Sequence, residues 1–182
     1  MTHAATCVTG VLLVGGASAR FGSPKALARI GERTFAELAW ERLEWCDERL
    51  AFGKVADGLT LPFPLRDDGR DVRAPLAGLV AGLKAARCDL VVALPVDVPV
   101  ITDGVLRSLA SACVGHAAVP QTGPLPGAYR RSSLRVLAGR LHAGDLALRA
   151  AVDELDARIV AIDPNLLVNV NRLEDMPLVL PH

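Results

Sequence analysis

Apolar residues recur along this chain in two rhythms. Val8 to Val14 (VTGVLLV) is a short, partly β-branched run ending against two glycines, and it predicts a buried strand. Leu90 to Leu94 (LVVAL) predicts a second. Between them, Thr34-Phe35-Ala36-Glu37 spells a capping box: the Thr34 hydroxyl can accept from the third helical N–H while Glu37 reaches back. Leu38, Trp40, Leu43 and Trp45 then continue a helix to about Cys46. Short strands are expected near Arg49 to Phe52 and near Pro64 to Leu65, with proline and glycine breaking the stretch between. Pro75 suits a first helical turn, and Leu76, Leu79, Val80 and Leu83 follow at helical spacing up to Ala86.

In the second half, Thr102 can cap a helix through Leu109. Ala117 to Val119 reads as a strand, and Leu125 to Tyr129 as another leading to a helix after Ser132. Gly144 to Leu155 predicts a helix and Arg158 to Ile162 a last strand. Strands alternating with helices imply parallel pairing and right-handed crossovers, hence an α/β fold with three layers and a mostly parallel central sheet. The 182 residues fit one domain, without repeat, linker or low-complexity segment.

Composition changes this picture only in part. Apolar residues make up 51% but aromatics only 4%, so the core must be built from Val, Leu, Ala and Ile, a mix suited to covered sheets. The 20 basic and 20 acidic side chains cancel, leaving no bulk field toward nucleic acid or an anionic membrane. Any phosphate chemistry must come from local groups. No apolar run reaches the length of a membrane span and no signal-peptide pattern opens the chain, so a cytoplasmic protein is expected. Cys7, Cys46, Cys88 and Cys113 lack the paired spacing of a zinc or redox motif and are expected to be reduced thiols. His3, His116, His142 and His182 have no mutual ligand spacing and receive no role.

The candidate chemistry begins directly after the first strand, in Gly15-Gly16-Ala17-Ser18-Ala19-Arg20-Phe21-Gly22-Ser23-Pro24-Lys25. Ligands of open α/β sheets sit beyond the carboxyl ends of the strands. Glycines there let backbone N–H groups approach phosphate oxygens, and Arg20 and Lys25 supply the charge a triphosphate needs. The loop is neither a Walker loop nor G-x-G-x-x-G. Ser18 lacks the setting of a hydrolase nucleophile and is a nucleotide contact at most. Asp97, in Leu94-Pro95-Val96-Asp97-Val98-Pro99, falls just past the second strong strand, on the same edge, where a carboxylate can hold magnesium or merely cap a turn. Asp67 and Asp68 precede Pro75-Leu76-Ala77-Gly78 at another strand end; one of them can contact a nucleotide or support the metal. Near the C-terminus, Asn169 and Asn171 form an amide pair that can orient phosphate or metal-bound water, although Asn171 is also a plausible helix cap.

Taken in order, the segments VLLVGGASARFGSPKAL, Asp67-Asp68 to APLAGL, ALPVDVPVI, GPLPGAYRRS and NVNRLEDM resemble the molybdenum cofactor guanylyltransferases and the wider MobA-like nucleotidyltransferases over nearly the whole chain. The resemblance implies a Rossmann-like nucleotide-diphospho-sugar transferase fold, and transfer of GMP from GTP to molybdopterin-bound molybdenum with release of pyrophosphate. It implies that Leu13, Val14, Gly15 and Gly16 line the nucleotide, that Lys25 grips its phosphates, and that Asp67 contacts the nucleoside side. It further implies Asp97 as the Mg2+ ligand, Asn171 near the acceptor phosphate, and delivery of the product to a molybdoenzyme or its chaperone. Three positions depart from the family pattern. Gly53 stands where an asparagine is common, Ala74 where a glycine is usual, and Pro24 where an acid usually precedes the lysine, Ser-Pro-Lys being closer to the related cytidylyltransferases. CTP in place of GTP, and a non-catalytic protein that binds nucleotide and delivers the pterin, therefore stay open as alternatives.

Overall fold

The computed structural model describes residues 6–15, 24–171 and 174–175. The first strand, β1 (Val8–Val14), is buried along its whole length. A small antiparallel pair follows, β2 (Arg29–Ile30) and β3 (Arg33–Thr34), joined across Gly31 at φ +59°. Next come α1 (Phe35–Arg42), β4 (Glu48–Gly53), β5 (Leu65–Asp67), α2 (Pro75–Ala85) and β6 (Leu90–Pro95). The second half adds α3 (Asp103–Ala112), β7 (Ala117–Pro120), β8 (Gly127–Arg130), α4 (Leu134–His142), α5 (Leu148–Glu154) and β9 (Arg158–Val160).

Seven strands form one sheet in the order β5-β4-β1-β6-β8-β7-β9. Its left half is parallel, with β1 between β4 and β6, because α1 carries the chain back to the starting edge before β4, α2 before β6, and the long 54–64 loop before β5. Alternation of strands and α-helices fails at two connections of this sheet. The first is β4 to β5, which a loop with one 3-10 turn at Val55–Asp57 spans while keeping the strands parallel. At the second, no helix separates β7 from β8, so the chain turns back on itself and β8 runs antiparallel to both β6 and β7. The sheet remains mostly parallel.

Adjacent residues of β1 and β6 serve opposite faces. Leu12, Val14, Val92 and Leu94 pack with α1 and α3 residues such as Ala36, Ala39, Leu106 and Leu109. Val11, Leu13, Val91 and Ala93 pack with Leu76, Leu79 and Leu83 of α2 and with Leu137 and Val152 of α4 and α5. Helices thus cover both faces and hide the continuous apolar strands from water, giving the three layers expected.

Local sequence explains the helix ends. The capping box forms in full: Thr34 Oγ1 accepts from Glu37 N at 3.2 Å and Thr34 N donates to Glu37 Oε2 at 2.7 Å. α1 ends at Arg42, short of Cys46, while Trp40 stacks on Phe63 with ring centroids 4.3 Å apart. The helix expected from Gly144 begins only at Leu148, because Gly144 adopts φ +77° and Asp145 Oδ1 accepts from Ala147 N, closing a turn instead.

One expectation is overturned. Cys7 and Cys88 are joined as a disulfide, not reduced thiols. Parallel pairing that sets Val8 against Leu90 brings the residues just before β1 and β6 together, with Cα atoms 5.4 Å apart, within disulfide reach. Cys46 and Cys113 are free, and burial pushes the Cys46 thiol up to about 12.

Candidate functional site

Four parallel strands deliver their carboxyl ends to one edge. Register places Val14 beside Gly53, Leu13 beside Pro95, and Gly53 beside Asp67. From β1 the chain first moves outward to β4 and β5, then returns to β6 on the other side, so the crevice between β1 and β6 is the switch point where such sheets bind ligands.

Two adjoining hollows open there. The outer cleft, about 270 Å³, is lined by Leu13, Val14, Gly15, Lys25, Asp97 and Asn171 among others. The inner one, only about 30 Å³, lies between β1, β4 and the start of α2 and shares Leu13, Val14, Gly15 and Pro75 with it. Of the two, the outer cleft approaches the size of a small-molecule site.

The polar end of the outer cleft is assembled from three distant parts of the chain. Lys25 starts a single helical turn, Asp97 lies in the turn after β6, and Asn171 follows the last described extended segment. Lys25 Nζ donates to Asn171 Oδ1 at 2.8 Å and lies 3.5 Å from Asp97 Oδ2. Backbone bonds fix the arrangement: Val170 N donates to the Asp97 carbonyl at 2.8 Å, Val96 N to the Leu13 carbonyl at 3.3 Å, and Asn171 N to Asp175 Oδ2 at 2.7 Å. Lys25 and Asp97 keep only 15% and 27% of their side chains exposed, so the pair is weakly screened yet reachable.

The structure therefore brings Leu13, Val14, Gly15, Lys25, Asp97 and Asn171 together. Asn169 is exposed and lines neither hollow. Gly16, Ser18 and Arg20 lie outside the described residues. Asp67 is also absent from both linings. Its carboxylate is turned onto the backbone, accepting from Gly69 N at 2.8 Å and Val55 N at 3.1 Å, and these bonds hold its pKa below the usual carboxylate value. Asp68, not Asp67, faces the inner hollow, together with Lys54 and Arg73. The residues alone left the aspartate pair open, the family resemblance pointed to Asp67, and Lys54 was passed over. Asp67 ends β5 and Asp68 follows it, its N–H bonded to the Gly53 carbonyl, so the two neighbouring side chains part, and a one-residue register was the missing datum.

Residues 10–159 match the model of the MobA-like NTP transferase domain. The chain belongs to this family. Among curated MobA-like relatives, a probable molybdenum cofactor guanylyltransferase of Deinococcus radiodurans is 33% identical, the match covering 93% of this chain and 92% of that one. A molybdenum cofactor guanylyltransferase of Desulfosudis oleivorans is 28% identical over the same shares. Of solved structures, molybdopterin-guanine dinucleotide biosynthesis protein A from Archaeoglobus fulgidus superposes with a TM-score of 0.79 at 20% identity, covering 93% of this chain and 95% of that one, and so shares the fold. Among the described residues, no helix is long and apolar enough to cross a membrane.

Proposed function

We propose that this MobA-like protein transfers GMP from GTP to molybdenum-bound molybdopterin and releases pyrophosphate. The observation that carries the reading is the convergence of Lys25, Asp97 and Asn171 at the mouth of a cleft whose inner wall is apolar. Two relatives matched across more than nine-tenths of their length bear names for that reaction.

A hard divalent cation suits the donors present. Asp97 offers a carboxylate that is partly open to the cleft, with the Asn171 amide nearby, and Mg2+ typically takes one or two protein carboxylates plus phosphate oxygens and waters. Asp97 is thus the residue to hold Mg2+, which when bound supplies neutralising charge to the phosphates.

The chain's own contribution is positioning and charge. Lys25 Nζ leaves its carboxylate and amide partners to bind phosphate oxygens, and offsets the negative charge that grows on departing pyrophosphate. The backbone of Leu13 to Gly15 aligns the α-phosphorus with the incoming acceptor phosphate. That acceptor is already ionised at neutral pH, so no general base is required. The pterin dinucleotide then passes to a molybdoenzyme or its chaperone.

Pyrophosphate release should be measured with Mg2+, molybdenum-loaded pterin and either GTP or CTP. Release with GTP but not CTP supports the proposal. Release with CTP alone would transfer the reading to a cytidylyltransferase and make Pro24 the informative departure, and silence with both would leave a binding and delivery role.

A further inference from the structure

The amino ends of the strands, opposite the cleft, carry a cluster that nucleotidyl transfer does not use. Three parallel neighbours, β4, β1 and β6, begin there side by side. Asp47 immediately precedes β4, Cys7 immediately precedes β1, and Cys88 lies two positions before β6. Pairing draws the three together. Asp47 N donates to the Val8 carbonyl at 2.9 Å, and Val8 N donates to Asp47 Oδ2 at 2.9 Å. One ligand atom from each of Cys7, Asp47 and Cys88 lies within 4.8 Å of the other two. The two cysteines are 81 positions apart, so no motif in the sequence announces the group.

The backbone around these residues is held from outside the cluster. Thr9, wholly buried, donates through Oγ1 to Glu48 Oε2 at 2.7 Å and accepts from Cys88 N at 3.4 Å. Glu48 Oε2 also accepts from Arg87 N at 2.9 Å, and the Arg87 guanidinium donates to the Asp47 carbonyl. The segment bearing Cys88 is thus fixed to the starts of β1 and β4. Among the described residues, Asp47 Oδ1 has no hydrogen-bond partner. Once the disulfide is reduced, two sulfur donors and a carboxylate oxygen face one point. Sulfur donors select a thiophilic divalent cation, whereas Mg2+ prefers oxygen alone.

We propose that the reduced chain binds Zn2+ through Cys7, Cys88 and Asp47, with water in the fourth tetrahedral position, and that the disulfide is the metal-free state of the same site. Two electrons and two protons from a dithiol break the S–S bond and leave two thiols, while the dithiol becomes a disulfide. Zn2+ then takes both sulfurs as thiolates and releases those two protons. Zn–S bonds of about 2.3 Å and a Zn–O bond of about 2.1 Å set tetrahedral ligands about 3.6–3.8 Å apart, inside the spread of these three atoms. Cys7 is exposed, so its sulfur can swing away from the buried Cys88 to that distance by side-chain rotation. The starts of β1 and β6 are thereby cross-linked in reducing conditions as in oxidising ones, and β4 is added to the cross-link.

The test is titration of the full chain with Co2+ and then Zn2+, both oxidised and after reduction by a dithiol that is removed without air. The reduced chain should take up one Co2+ with thiolate-to-cobalt charge-transfer absorption in the near ultraviolet, and Zn2+ should abolish the band by displacing Co2+. That band requires sulfur ligands, so a cation held at Asp97 does not produce it. The oxidised chain should show none. Zn2+ should also raise the melting temperature of the reduced chain. Cys7→Ser should lose the band. Asp47→Asn, which keeps an acceptor for Val8 N, should bind at least about 10-fold more weakly. No band in the reduced chain overturns the site, and so does an equal band in the oxidised chain or in Cys7→Ser, which would assign it to Cys46 or Cys113. Equal affinity in Asp47→Asn overturns the part given to Asp47. Should a variant fail to fold, the oxidised and reduced titrations of the natural protein decide alone.

Discussion

Lys25 and Asn171, 146 positions apart, meet at 2.8 Å, and Asp97 stands 3.5 Å from the same ammonium group. The contact is made where β1 and β6 end side by side, so it depends on the register of the central sheet and on the final extended segment, which is tied to Asp97 through Val170.

Replacing Asp97 by Ala removes a carboxylate whose side chain bonds Lys25 rather than the backbone, so the fold should survive while transfer falls by at least about 100-fold. Lys25→Ala should weaken triphosphate binding and slow turnover together. Circular dichroism and steady-state kinetics separate the two effects. Wild-type turnover in either variant contradicts the assigned role.

Asp67 and Asp68 should behave differently despite being neighbours. Asp67→Ala deletes the acceptor for Val55 N and Gly69 N and should lower stability without changing nucleotide preference. The same bonds set a pH trend. Because the folded pKa of Asp67 lies below its ordinary value of 3.8, its contribution is present above that pH and is lost as pH falls through the folded pKa. Urea melts of the natural protein and of Asp67→Asn at neutral and acid pH would reveal it, the difference between them shrinking in acid.

Gly53→Ala should be disruptive, since the added methyl would overlap the Val14 carbonyl in the adjacent strand. Forcing β1 and β4 apart should cost about 1–3 kcal/mol and widen the inner hollow. A denaturation midpoint equal to that of the natural protein would show that the strand ends yield freely.

The Cys7–Cys88 bond closes a loop across 81 positions. Cross-links of this kind typically stabilise by about 2–4 kcal/mol, so reductant or Cys7→Ser should lower the melting temperature while leaving the distant nucleotide cleft able to bind. Unchanged melting on reduction contradicts a stabilising role.

Much of the frame was legible because local physics decided it. The apolar run at Val8–Val14, the Thr34 and Glu37 capping box and Pro75 at a helix start each carry their own structural instruction. What was hidden depended on pairing. Cys7 and Cys88 follow no motif and meet only because β1 and β6 are neighbours. Lys54 and Asp68 become a buried pair only once β4 and β5 are in register, and β8 reverses because the short connection before it holds no helix. At the site, Lys25 and Asp97 were legible from their places after apolar strands, whereas the choice between adjacent aspartates required the register at the end of β5.

The central claim is nucleotidyl transfer, and the fate of the α-phosphate tests it most directly. With GTP labelled at the α-phosphorus, Mg2+ and molybdenum-loaded pterin, the label should appear in the pterin product, while label placed at the γ-position should leave as pyrophosphate. Release of γ-label as orthophosphate, or a pterin that never acquires α-label, would contradict the account.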